Sequence, residues 1–182
     1  SYVFIEINTI AAAGLVMMRQ NGRSLVASVR YMLMNLLGSS LFLIGIVLLY
    51  TTTGHLLMSN IKDAVAVCVA SGEYKVPLTI VIALMTVGLA IKSALFPFDS
   101  WLPGAYSNAT PTASAILSSL VSKGYIFLMI KVYYRVIGIE VVRATGILDI
   151  LFLFGAIGMV MGSVHAVRAK TTRLMIAYSS VA

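Results

Sequence analysis

The sequence predicts an all-α fold, a polytopic transmembrane helix bundle with one discontinuous helix, and three observations carry that expectation. Of the 182 residues, 60% are hydrophobic and only 10% charged, against roughly 25% charged in an average soluble domain. Several apolar stretches approach the ~20 residues that a bilayer-crossing helix needs. Pro97 and Pro103 fall in the C-terminal part of the longest of them. On a soluble protein the net charge of +7 would suggest nucleic acid. Among these apolar runs it points instead to a lipid bilayer, with no nucleic-acid partner.

Five spans are expected at residues 2–18, 31–51, 76–103, 111–137 and 146–167, within a single transmembrane domain over 1–182. The first carries Glu6 inside its apolar run and lacks a basic lead-in, so it reads as a helix and not as a signal peptide. Residues 55–71 are apolar but broken by Lys62 and Asp63, which fits an interfacial helix better than a crossing. The third span would be about 40 Å long as an unbroken helix, against a hydrocarbon core of about 30 Å. Its prolines place an interruption just after Lys92, because proline removes a helical hydrogen bond and clashes with the preceding turn. Such breaks occur at membrane depth where they are buried or line a wet cavity. In the fifth span, the Gly158 to Gly162 spacing reads as helix packing. A sixth helix begins after Arg173, but the nine residues from Leu174 to Ala182 are about half of a crossing. The chain is therefore expected to be a fragment of a longer protein, or a split subunit completed by another chain.

Arg19, Arg23, Arg30, Arg168, Lys170 and Arg173 cluster on one side of this topology. Lys62, Lys75, Lys131, Arg135 and Arg143 fall on the other, together with Asp63, Glu73, Glu140 and Asp149. Six basic residues against five favour the first side as cytoplasmic. Lys131 and Arg135 read as snorkelling anchors, and Tyr133 and Tyr134 as an interfacial belt.

Glu6, Lys92 and Lys123 fall inside spans, where a charge costs roughly 2.5–3.5 kcal/mol on insertion scales and usually faces protein or water. Burial disfavours a lysine ammonium and a nearby carboxylate restores it. A Glu6–Lys92 pair that forms and parts is therefore a proton switch, with Lys123 as the next acceptor. Asp99, beside the break, caps a half-helix or joins a water chain. His165 is either an interfacial side chain or a relay. A static Glu–Lys pair joining two helices would leave the second lysine without a partner. No Walker loop, dinucleotide fingerprint, metal-spaced His or Cys pair or nucleophile constellation is present, so no cofactor is assigned and redox chemistry belongs elsewhere.

The run from Lys92 through Phe96-Pro-Phe-Asp-Ser-Trp-Leu-Pro-Gly-Ala-Tyr106, followed by Thr110-Pro-Thr and Val121-Ser-Lys123-Gly, resembles the proton-conducting antiporter-like subunits. Respiratory complex I, membrane-bound hydrogenases and Mrp-type Na⁺/H⁺ antiporters share these. Phe4-Ile-Glu6, Arg30 to Ser39 and Lys170 to Ser180 extend the resemblance over nearly the whole chain. It implies an inverted-repeat parent with a broken helix in each repeat, and it implies Glu6, Lys92 and Lys123 as the translocating glutamate, the lysine at the break and the connecting lysine. It also implies other membrane subunits and protons or sodium ions as partners, in an energy-transducing cell membrane. Asp99, Gly104 and Tyr106 stand where many relatives carry His, Asp and His, and the Trp-Leu-Pro-Gly-Ala-Tyr version looks closer to the hydrogenase and Mrp-type branches. The resulting expectation is a non-redox, ion-translocating subunit of a redox-driven or Mrp-type complex. The competing expectation is a membrane scaffold that assembles partner subunits without transporting ions.

Overall fold

The computed structural model describes residues 2–71 and 75–182; Glu73, counted above in the charge comparison, lies outside them. Helix α1 (Tyr2–Met17) and helix α2 (Gly22–Thr53) form an antiparallel pair joined by a tight turn, and Ser28 Oγ of α2 donates to the Ala13 carbonyl of α1 at 3.1 Å. Helix α2 is longer than the expected 31–51. Asn21 N–H donates to Ser24 Oγ at 3.1 Å, which closes an N-terminal turn upstream of the apolar run, so Arg23 and Arg30 ride on the helix and not in a connection. Helix α3 (Met58–Ser71) occupies the expected interfacial segment.

Helix α4 (Lys75–Ser93) ends one residue beyond Lys92, as expected. The chain then passes through an irregular stretch and a single tight turn, Asp99–Trp101, into the half-helix α5 (Leu102–Asn108). Pro97 lies inside the interruption. Pro103 plays a different part, because it sits in the first turn of α5, where the missing N–H has no intrahelical partner to lose. It starts the second half-helix. Helix α6 (Pro111–Ile137) carries two wide π turns, Leu117–Val121 and Val132–Ile137. A short helix α7 (Ile139–Ala144), the long α8 (Ile147–Val167) and α9 (Thr172–Ser179) complete the order. No strand occurs among the described residues.

Four of these helices (α2, α4 from Val76, α6 and α8) are long and apolar enough to cross a membrane, and α1 is a shorter apolar helix. Helices α2 and α4 approach closely across glycines. A Cβ on Gly88 would stand 2.6 Å from the Gly38 carbonyl oxygen, and one on Gly38 would stand 2.8 Å from that of Gly88. Small residues let backbones approach closely where no hydrophobic drive operates between helices. Gly158 packs on Phe96 of the interruption and Gly162 on Ala182, so this spacing serves close packing against irregular chain and not the expected contact with another helix. Tyr133 departs from the expected belt. Its ring is buried and its hydroxyl pairs with Thr86 Oγ1 at 2.7 Å, whereas Tyr134 is exposed.

Candidate functional site

The site is built where α4 stops. Ala94, after the last turn, adopts a left-handed conformation at φ 58°. The Leu95 N–H then reaches back to the Ala90 carbonyl at 2.9 Å and the Ala94 N–H to that of Ile91 at 3.2 Å. This pair of bonds is a Schellman termination, usually built on glycine. The Ile91 carbonyl accepts a second bond, from Trp101 Nε1 at 3.1 Å, and the Trp101 ring meets Tyr31 edge-on at 5.1 Å. The Ala90 and Ile91 carbonyls at the break are thus satisfied by the segment that follows it.

Lys92 occupies the last turn of α4 and is wholly buried. Its stem lies along Gly38, since a Cβ there would come within 3.1 Å of Lys92 Cγ. Its ammonium donates to Thr9 Oγ1 at 3.0 Å, stands 3.9 Å from Glu6 Oε1 and sits 5.3 Å from the Tyr125 ring centroid. Thr9 donates in turn to the Ile5 carbonyl at 2.9 Å and pairs with the Tyr125 hydroxyl at 3.3 Å, which also accepts from Asn8 Nδ2 at 3.2 Å. Glu6 is partly exposed, and its Oε1 has no hydrogen-bond partner among the described residues. Carboxylate and ammonium therefore attract without being locked by a direct hydrogen bond. Tyr31 Oη and Asn35 Oδ1, one turn apart on α2, are likewise buried and without a hydrogen-bond partner among the described residues.

Glu6 and Lys92 are thus brought together, but Lys123 is not. It lies on the exposed side of α6, between the exposed side chains of Leu120 and Phe127. Asp99 opens the turn after the break and is half-buried, and its backbone carbonyl accepts the Leu102 N–H. His165 is exposed, with Nδ1 at 2.7 Å from the Met161 carbonyl and its ring 5.2 Å from that of Tyr178. Neither approaches the ion pair in any described contact. Tyr106 is buried, with its hydroxyl donating to the Leu117 carbonyl at 3.0 Å and also bonded to Ser122. Among the described residues no group of acidic, His or Cys side chains is arranged to hold a metal ion.

Sequence reasoning missed Thr9 and Tyr125 as neighbours of the Lys92 ammonium and Asn8 as a partner of Tyr125. Thr9 was accessible in principle, since it lies three residues after Glu6 and so shares its helix face. Tyr125 was not, because nothing local fixes which face of α6 meets α4.

An interrupted helix ending at a buried lysine, packed through glycines in an all-helical bundle with membrane-length apolar helices, is the architecture of an antiporter-like membrane subunit. The chain belongs to the transmembrane family described as NADH:quinone oxidoreductase/Mrp antiporter, whose model matches residues 1–182. It is 32% identical over its whole length to NADH-quinone oxidoreductase subunit N of Desulforudis audaxviator (strain MP104C), covering 35% of that protein. Among solved structures, it resembles a chain of the membrane-bound sulfane sulfur reductase, an archaeal respiratory membrane complex, with TM-score 0.84 and 30% identity over 99% of this chain and 36% of that one. The Mrp complex from Dietzia sp. DQ12-45-1b gives 0.84 at 27% identity, over 99% and 32% of the two chains. Respiratory complex I from Thermus thermophilus gives 0.74 at 27%, over 99% and 36%. The chain spans about a third of the length of the curated relatives it matches.

Proposed function

We propose that this chain is the part of an ion-translocating membrane subunit in which Lys92 takes up and releases a proton under the control of Glu6. The observation that carries the reading is the buried Lys92 ammonium, 3.9 Å from Glu6 at the end of an interrupted helix. With Glu6 near, the ammonium is favoured; with Glu6 withdrawn, desolvation favours the neutral amine and frees the proton. Because Glu6 Oε1 accepts no hydrogen bond among the described residues, such a withdrawal breaks no direct hydrogen bond to the ammonium. Water would satisfy the unpartnered Tyr31 and Asn35 atoms and extend a polar route from the Thr9–Tyr125 hydroxyls.

Lys123 is the next acceptor in this reading, facing other membrane helices or other subunits. In support, it interrupts an otherwise apolar exposed stripe of Ile116, Leu120, Phe127 and Ile130, and a charge at membrane depth needs protein or water beside it. Protons are the favoured cargo and sodium the alternative. The subunit works within a multisubunit, redox-driven or Mrp-type complex of an energy-transducing cell membrane. Asp99 and His165 serve at most as outlying members of the path.

The test is Lys92→Ala in the complete complex, reconstituted in vesicles. Pumping falls to background while electron transfer to artificial acceptors survives; undiminished pumping overturns the reading. Lys92→Met distinguishes the scaffold alternative, in which assembly on native gels weakens and transport is spared.

A further inference from the structure

We propose that the basic pocket where α3 meets the end of α6 binds the phosphodiester headgroup of an anionic membrane phospholipid, with an acyl chain in the adjoining apolar cavity. The pocket is lined by Met58, Ser59, Lys62 and Asp63 of α3 and by Lys131 and Arg135 of α6. It thus holds three cations and one carboxylate. None of these four groups joins an ion pair among the described residues, where the pair formed is Glu6 with Lys92. Ser59 Oγ donates to Asn60 Oδ1 at 3.1 Å.

Two helices converge to make this arrangement. Helix α3 packs on the final π turn of α6, and Lys62 Cε lies 4.0 Å from where a Cβ on Gly138 would stand. Bringing like charges from separate helices into one concavity is unfavourable until an anion enters it. Snorkelling alone would explain each lysine or arginine singly, but not their convergence.

The second observation selects a lipid over a free phosphate. A cavity of about 350 Å³ adjoins the pocket, and Met58 lines both. Its walls include Phe42, Ile61, Leu128, Val132 and Val136, with Tyr2 and His55 contributing the polar side chains. Three neighbouring pairs in sequence, Ile61–Lys62, Lys131–Val132 and Arg135–Val136, each give one residue to the charged pocket and one to the cavity. Inorganic phosphate would use only the first space, whereas a phospholipid uses both. Basic pockets beside transmembrane helices recognise anionic headgroups in this way. The proposal is independent of proton transfer at Lys92.

The test uses the full-length protein that carries this segment, stripped of lipid in mild detergent. It is titrated with dioleoylphosphatidylglycerol, dioleoylphosphatidylcholine, glycerol phosphate and inorganic phosphate, and bound lipid is counted by native mass spectrometry. Phosphatidylglycerol binds at least ~10-fold tighter than phosphatidylcholine, and neither soluble phosphate competes, because the acyl chain contributes. The variant K62Q/K131Q/R135Q weakens phosphatidylglycerol binding on the order of a hundredfold, at about fivefold per cation. Equal affinity for the two lipids, competition by inorganic phosphate at matched concentration, or unchanged binding by the triple variant overturns the proposal. Should the triple variant not fold, Arg135→Gln alone loses about fivefold, and unchanged affinity there overturns it equally.

Discussion

Lys92 and Lys123 invite comparison because the sequence presents them alike, each a single lysine deep in an apolar helix. Lys92 is wholly buried against Thr9, Glu6 and the Tyr125 ring, on the helix whose glycine fits against α2. Lys123 is exposed among apolar neighbours. The difference lies in helix phase. Tyr125, two residues from Lys123, points at Lys92, so Lys123 must lie on the far side of α6. The π turn at Leu117–Val121 accommodates one extra residue and swings everything after it by about 100° relative to an ideal helix. One lysine closes a site within this chain; the other offers a charge to whatever lies beyond it.

The strongest way to break this contrast is to neutralise each lysine in turn. Lys92→Met reduces vesicle transport to background and lowers the unfolding midpoint of the full-length protein, because it leaves the Glu6 carboxylate without its cation, at a cost below the roughly 3–5 kcal/mol of a fully buried pair. Lys123→Met also stops transport, but with no change in midpoint, since no hydrogen bond or ion pair of Lys123 among the described residues is lost. Transport that survives Lys123→Met while Lys92→Met abolishes it would confine the function to the enclosed site. Glu6→Ala leaves the ammonium uncompensated. Its cost falls below the roughly 3–5 kcal/mol of a fully buried pair, because the Glu6 side chain is 28% exposed and water screens it. Transport is reduced but not abolished, as the amine can still titrate.

Packing sharpens the contrast further. Gly88→Ala drives a methyl into the Gly38 carbonyl oxygen and the Phe42 backbone nitrogen, both nearer than 3.0 Å to its position. Both obstacles are backbone, so the helices must separate, at about 1–3 kcal/mol of overpacking. Gly124→Ala, beside Lys123, meets nothing within 4 Å and raises the midpoint slightly, since alanine is favoured over glycine inside a helix by about 0.5–1 kcal/mol. Equal midpoints for the two variants would show that the α2–α4 contact does not hold Lys92 in place.

Much of the fold was legible in the sequence, for identifiable reasons. Hydrophobic run length gave the spans, and the prolines with their aromatic neighbours located the break after Lys92. The resemblance singled out Glu6 and Lys92, which do meet. Side-chain phase was not legible. A π turn leaves no mark in an apolar stretch, so neither the exposure of Lys123 nor the inward turn of Tyr133 could be anticipated. Nor did composition tell that Arg23 and Arg30 extend α2, because that depends on one bond at Asn21.

The smallest effects probe how the break is held. Trp101→Phe removes the indole N–H from the Ile91 carbonyl, which keeps its bond from Ala94, so the hydrogen-bond part of the loss is about 1 kcal/mol and not the larger cost of an orphaned acceptor, and the smaller ring in a buried site adds the cost of a cavity. Ala94→Gly acts in the other direction. Relief of a left-handed alanine gives roughly 1–2 kcal/mol, and glycine's extra freedom in the unfolded chain takes back about 0.4–1 kcal/mol. A net gain of about half a kcal/mol to 1 kcal/mol follows, read as a small rise in the denaturation midpoint of the full-length protein. Ala94→Val should lower that midpoint, because a β-branched side chain tolerates φ 58° still less well. If glycine lowers it as well, the turn at Ala94 is not what stops α4, and the enclosure of Lys92 must depend on Pro97 and the Trp101 contact instead.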